Sequence, residues 1–255
     1  MKFSYYLFAI VSISLVGFQL KPKQKSTGPI NHYLELRNTV APLNSSILIG
    51  KKDTVVLQRF FGYEEAERKK LIDAETVFPI ASGTKPFTAA AVLMLQDQKK
   101  LSIDDPLVKW MKGFPLSWNG ITIRQLLSHT SGIPDWQKMA PEEKFPVTIP
   151  GIIAVYKNSK PVSAPGTTFS YGNINYLLLS FVIEKASGST YEKFVESNII
   201  EPLSLQHTGF VYQYKGARLA KGYTNVFLMQ PLRDKELPNY RLLKGAGGMY
   251  STPQD

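Results

Sequence analysis

Residues 78–95 read FPIASGTKPFTAAAVLML, and both fold and chemistry turn on this stretch. Ser82 and Lys85 stand three apart at the start of a helix-forming run, which puts both side chains on one face and lets an ammonium reach a hydroxyl. The first-turn N–H groups of such a helix also favour negative charge developing beside them. With 20 serines and 23 lysines in 255 residues, chance gives roughly two Ser-x-x-Lys spacings. Only this one occurs. An N-cap serine followed by a solvated lysine is the ordinary alternative. The run that follows, Ala89, Ala90, Ala91, Val92, Leu93 and Leu95, argues against it. Its density predicts a helix from Lys85 to Gln98 buried on most sides, where a lysine needs a reason to be.

A second constellation lies at residues 165–179, PGTTFSYGNINYLLL. A turn delivers Tyr171 and Asn173 just ahead of an apolar helix, offering a phenol for proton relay and a carboxamide for substrate hydrogen bonds. Tyr-x-Asn also occurs at Tyr156-Lys157-Asn158 and Tyr223-Thr224-Asn225, but without the turn-then-helix context. Read alone, Tyr171 is equally a loop aromatic packed on the core.

Outward from these motifs the texture is that of an α+β domain. Ser46–Gly50 and Thr54–Phe61 are β-rich runs split by Lys51-Lys52-Asp53, which predicts a hairpin. A short helix is predicted before it at Asn31–Thr39, with further helices at Thr122–His129, Asn175–Ala186 and Tyr191–Ile200. Strand-like segments return after Thr208. Strands, then helices, then strands favour α+β over regular βαβ alternation.

Composition narrows the function classes. Hydrophobic content of 44% with 12% aromatics suits a globular core. The absence of cysteine excludes disulfides, thiol nucleophiles, Cys-ligated zinc and iron–sulfur clusters. The sequence has no His-Glu-x-x-His motif, and His32 and His207 sit at ordinary polar positions; no metal and no cofactor is expected. The net charge of +10 is partly terminal, with Lys2, Lys21, Lys23 and Lys25 in the first 25 residues. No nucleic-acid-binding module accompanies it, so nucleic acid is not an expected partner. The lysine-flanked apolar run from Phe3 to Leu20 predicts that residues 1–25 are a signal peptide or a membrane anchor. Residues 26–255 are then the functional domain, exported to the periplasm or anchored on the periplasmic face of the inner membrane, and membrane association would run through residues 3–20.

FPIASGTKPFTAAAVLML, ITIRQLLSHTSGIPDW, PGTTFSYGNINYLLLSFVIEKASGSTYEKFV, IIEPLSLQHTGF and GAGGMYST together resemble the penicillin-recognising serine hydrolases of the class C β-lactamase and DD-peptidase type, in order from about Asn44 to the last residue. The resemblance implies a transpeptidase-like fold, an antiparallel sheet with a helical subdomain. It implies that Ser82 is the acylated nucleophile, that Lys85 and Tyr171 are a coupled proton-handling pair, and that Asn173 binds the substrate amide. His129-Thr130-Ser131-Gly132 matches a stretch that is mostly structural in such proteins. A triad with His129 as base would want a Gly-x-Ser-x-Gly elbow, which the sequence lacks.

One departure matters. The family's third motif, Lys-Thr-Gly or His-x-Gly, lies on a strand beside the serine. His207-Thr208-Gly209 matches its letters, but only 36 residues past Tyr171 and directly after Glu201-Pro202-Leu203. The expected place for the motif lies beyond Asp255, so the chain reads as C-terminally truncated with its final strands missing. An open sheet edge and uncovered apolar faces on helices such as Asn175–Ala186 are expected to follow. The function expected is a serine hydrolase forming an acyl-enzyme with a β-lactam, a D-alanyl peptide or an ester, a small-molecule or peptide substrate. The alternative is a catalytically incompetent truncated homologue serving as a binding or membrane-tethered protein.

Overall fold

Ten consecutive side chains, Ile174 to Ile183, are buried, and their apolar members lie in the larger of two hydrophobic cores. The structure is a computed structural model that describes residues 28–65, 70–141, 144–224, 233–234 and 239–255. The proposed signal or anchor segment lies outside the described residues, as does Asn225 of the third Tyr-x-Asn copy. Among the described residues no helix is long and apolar enough to cross a membrane.

The chain opens with α1 (Gly28–Val40) and a hairpin of β1 (Ser45–Lys51) and β2 (Thr54–Phe61), in which Ser45 pairs with Phe61 and Lys51 with Thr54. Leu34 of α1 packs with Leu57 and Phe61 in a small core of its own. Two short strands, β3 (Tyr63–Glu65) and β4 (Lys70–Leu71), pair next, and β5 (Phe78–Pro79) leads into a 3-10 turn over Ala81–Gly83 and then α2 (Thr84–Asp97). Three more helices follow before the central one, α3 (Leu107–Trp110), α4 (Ile123–Leu127) and α5 (Ile149–Tyr156), and then comes α6 (Asn173–Ser187) itself. A capping box between Thr122 and Gln125 fixes where α4 starts. α7 (Tyr191–Val195) runs on into a π turn over Glu196–Ile200, which accounts for the single helix predicted there. The last segments are β6 (Gly209–Phe210), β7 (Tyr223–Thr224), β8 (Arg233–Asp234), α8 (Tyr240–Gly247) and β9 (Met249–Ser251).

The fold is mixed α and β with small antiparallel sheets. The sheet that matters for function has the order β5-β9-β6. It ties the entry to Ser82, through β5, to the exit from α8, through β9.

Two expectations are corrected. α2 is buried on one face only: Thr84, Lys85, Thr88, Ala91, Val92 and Leu95 point inward while Pro86, Ala90 and Leu93 are exposed. Alanine is small enough to read as apolar in sequence yet sit on a surface without cost. The helix buried on all sides is α6, and it is not left uncovered as the sequence suggested. α2, α4, α7 and α8 pack around it. α8 is the unforeseen partner: Gly245 lies so close to α6 that a Cβ would stand 2.8 Å from the Tyr176 carbonyl oxygen, an approach only glycine permits.

Candidate active site

Ser82 is delivered by a sharp exit from β5. The Ile80 N–H donates to the Met249 carbonyl at 3.0 Å, and Ala81 then takes the left-handed conformation with φ 44°. That costs an L-residue roughly 1–2 kcal/mol, and the surrounding sheet and α2 hold it there. The strained corner turns Ser82 outward, so that the serine is exposed while Lys85, one turn on, is buried at 6% exposure.

An ammonium has three N–H donors, and Lys85 Nζ has three acceptors: Ser82 Oγ at 3.1 Å, Asn173 Oδ1 at 2.9 Å and the Ala246 carbonyl at 2.7 Å. It also lies 4.8 Å from the Tyr171 ring centroid and 5.6 Å from that of Tyr176, where the π-faces favour a cation. Tyr171 Oη is 2.7 Å from Ser82 Oγ. The serine oxygen is therefore bonded to an ammonium on one side and a phenol on the other. Once either neighbour has given up a proton, the hydroxyl has a short path along which to lose its own, and its oxygen is held to attack an electrophile arriving from solvent. Tyr171 is half exposed, so the same phenol can reach an incoming molecule.

The turn bearing Tyr171 is held from beneath. Ser170 N–H donates to the His129 carbonyl at 2.8 Å, Gly172 N–H to His129 Nδ1 at 3.3 Å, and Ile174 N–H to Asp135 Oδ1 at 3.0 Å, the last serving an orphan donor in the first turn of α6. The His129 ring lies 4.5 Å from that of Tyr171 and 5.1 Å from that of Tyr176. Burial pushes this imidazole below its ordinary range; the nearby Lys85 charge adds to the effect and Asp135 opposes it. Burial pushes the Tyr176 phenol up, and its hydroxyl donates to the Leu127 carbonyl at 3.0 Å.

All four residues singled out in sequence, Ser82, Lys85, Tyr171 and Asn173, meet in this one cluster. Other candidates do not join it. Tyr156 is buried in the core with its hydroxyl on the Pro134 carbonyl, and burial raises its pKa. Thr208 bonds Ser251 and Asp255, and the His207 N–H donates to Asp255, so His207-Thr208-Gly209 serves the edge of the β5-β9-β6 sheet. Sequence reasoning missed the Ala246 carbonyl, the third acceptor for Lys85; the signal was the small-residue run Gly245-Ala246-Gly247, which allows close packing. It also passed over Asp135, and took the His129 stretch as structural without seeing that its ring underlies Tyr171. Among the described residues no group of three or more His, Asp or Glu side chains is placed to hold a metal ion.

Three comparisons relate the chain to known proteins. The family model described as Beta-lactamase matches residues 36–255. Protein flp of Staphylococcus aureus (strain COL) is 33% identical over 187 residues, covering 70% of this chain and 37% of that protein. The octameric penicillin-binding protein homologue from Pyrococcus abyssi superposes with a TM-score of 0.74 at 29% identity, over 89% of this chain and 54% of that one. A D-stereospecific amidohydrolase from Streptomyces sp. does so with a TM-score of 0.60 at 31% identity, over 70% and 58%. The chain spans little more than a third of the length of the curated relatives it matches, 37% in the case of Protein flp.

Proposed function

The chain belongs to the β-lactamase family, and from that premise we propose that it is a serine hydrolase working through an acyl-enzyme on Ser82. The observation that carries the reading is the double contact of Ser82 Oγ, 3.1 Å from Lys85 Nζ and 2.7 Å from Tyr171 Oη. Oγ attacks the substrate carbonyl while the Lys85–Tyr171 pair is one proton short of ammonium plus phenol, so that the Ser82 proton passes to the vacant position in that pair, and the Ser82 N–H at the start of the helical turn donates to the oxyanion. Collapse of the tetrahedral intermediate breaks the bond to the leaving nitrogen or oxygen, which takes the proton from the same pair through the half-exposed Tyr171 hydroxyl. Water then attacks the ester by the reverse route, giving up its proton to the pair and freeing Ser82. Asn173, its carboxamide oxygen fixed by Lys85, offers its amino group to the substrate.

The substrate proposed is a β-lactam, a D-alanyl peptide or an ester. Likeness to a D-stereospecific amidohydrolase supports an acyl donor of D-configuration. The lysine-flanked run from Phe3 to Leu20 supports export, which would set the site among periplasmic substrates.

The test is covalent. The chain is incubated with a fluorescent penicillin and with an activated ester, and the adduct is located by peptide mass. The adduct is expected on Ser82 and absent from Ser82→Ala. An undiminished adduct in Ser82→Ala, mapped to another serine, would falsify the assignment.

A further inference from the structure

We infer that His129 is a positioning residue for Tyr171, acting as a neutral imidazole locked in a single tautomer, and that its protonation adds an acid limit of its own to the Ser82 site. The inference rests on the hydrolase reading for its kinetic consequence but not for its geometry. It begins at Ser131, whose Oγ accepts the Ile133 N–H at 3.1 Å and so has its own proton free to donate to Asn175 Oδ1 at 2.6 Å. That fixes which way the buried Asn175 carboxamide faces. Its amino group must point the other way, toward the Gly172 carbonyl at 3.3 Å and His129 Nδ1 at 3.2 Å, and a carbonyl oxygen can only accept. Gly172 N–H, which can only donate, reaches the same Nδ1 at 3.3 Å.

Two donors therefore converge on one ring nitrogen, and Nδ1 must be unprotonated with the imidazole proton on Nε2. A second proton on the ring would set an N–H against the Gly172 N–H and the Asn175 amide. Gly172 stands between Tyr171 and Asn173, so the displacement would carry away the phenol bonded to Ser82 and the carboxamide bonded to Lys85 together. The groups facing the ring are Lys85 from α2, Asp135 from the loop ahead of α5, and the rings of Tyr171 and Tyr176. Lys85 works against protonation and Asp135 for it.

The backbone says which replacement separates positioning from packing. His129 has φ 57°, in the left-handed region, where Asn is the side chain that tolerates the conformation best after glycine. Asn also carries an acceptor one bond past Cγ, where Nδ1 stands, and it does not titrate. Phe keeps the ring and loses the acceptor.

The experiment uses the full chain, with His129→Asn and His129→Phe. Nitrogen-15 correlation spectra of the three histidines, assigned by the signal lost in His129→Asn, are expected to show His129 with an unprotonated Nδ1 at neutral pH. Protection of the Gly172 amide, its exchange rate set against the intrinsic rate at the same pH, is expected to fall about tenfold or more in His129→Phe, and in the wild type as the His129 signal titrates, but not in His129→Asn, a size set by the lost hydrogen bond. Acylation of Ser82 by a fluorescent penicillin is expected to lose, in His129→Asn, the part of its acid limb that follows the His129 signal, while keeping its neutral-pH rate within a few fold. A proton on Nδ1 at neutral pH, or Gly172 protection indifferent to His129→Phe and to acid, overturns the inference. A protected Gly172 amide with no acylation at any pH leaves the positioning role standing and counts against the hydrolase reading instead.

Discussion

Replacing Lys85 with Met should separate activity from stability. The ammonium is buried at 6% exposure, and its three partners are a hydroxyl, a carboxamide oxygen and a main-chain carbonyl, all neutral. No carboxylate among the described residues lies within ion-pair distance of it. Removing it leaves Asn173 Oδ1 and the Ala246 carbonyl without this donor, at about 1–3 kcal/mol each if nothing replaces it. Against that, a charge buried without a counter-charge carries a desolvation penalty of several kcal/mol. Met is of similar length and sits well against the Tyr171 and Tyr176 rings. The two sides nearly cancel, so the melting temperature of Lys85→Met should stay within about 5 °C of the wild type, using roughly 2–4 °C per kcal/mol for a chain of this size. Acylation of Ser82 should fall about 10²- to 10⁴-fold, the usual contribution of a positioned proton-transfer group, because the Lys85–Tyr171 pair loses one of its two members. Thermal melts and the rate of fluorescent penicillin labelling measure both on one preparation. Labelling within tenfold of the wild type would refute the role of Lys85 in the proton path, and a collapse of the melt by 10 °C or more would mean that it is a structural hub instead.

Two further substitutions test the scaffold. Arg218 joins buried Glu64 to Asp73 and Glu75, with Lys70 also on Glu64, so Arg218→Met should cost about 3–5 kcal/mol at neutral pH by leaving Glu64 poorly matched. Burial works to raise the Glu64 carboxyl, but hydrogen bonds from Thr76, Arg218 and Lys70 outweigh it, while the Arg218 bond chiefly depresses Asp73; these carboxylates stabilise the fold above their ordinary range and cease to as pH falls through their lowered values. The gap in melting temperature between wild type and Arg218→Met should thus narrow in acid, and a gap of equal width at pH 7 and pH 3 would sink the account. Gly132 has φ 73°, and a Cβ there would lie 2.3 Å from the Ser163 carbonyl oxygen, so Gly132→Ala should lower the melting temperature by several degrees through strain of roughly 1–2 kcal/mol plus the clash, with labelling slowed because residue 132 follows the His129–Ser131 support; an unchanged melt would mean that the 161–163 segment yields freely.

How much of this was legible in sequence depended on the range of the contacts involved. The hairpin at 45–61 and the helices of the centre were visible because period and turn chemistry are local. Ser82 and Lys85 were visible for the same reason, being one helical turn apart. Tyr171 and Asn173 could be tied to them only through resemblance, since nothing in the spacing says that a turn nearly 90 residues on folds against Ser82. Least legible were the contacts made by main-chain atoms. The Ala246 carbonyl and the Gly172 N–H carry no residue identity, and any sequence that put a backbone there would serve. α8 was missed because Gly245, Gly247 and Gly248 read as a loop, whereas Gly245 is what brings α8 onto α6.

Those main-chain partners also determine where pH can act on the proposed chemistry. The Lys85 ammonium is held by dipoles, and dipoles do not titrate, so none of its acceptors loses its grip in acid. Beside the proton that the Lys85–Tyr171 pair itself takes up, a second acid limit comes from His129, which stands under Tyr171 and Gly172 with an acceptor that protonation removes. The acid limit of the fold belongs elsewhere, to Glu64 and Asp73 around Arg218. The two limits therefore belong to different groups and can be moved one at a time. Arg218→Met should shift the pH at which the melt fails and leave the labelling profile of the folded protein in place. His129→Asn should do the reverse, and a single substitution that moved both would show that the site and the Glu64 cluster titrate as one network.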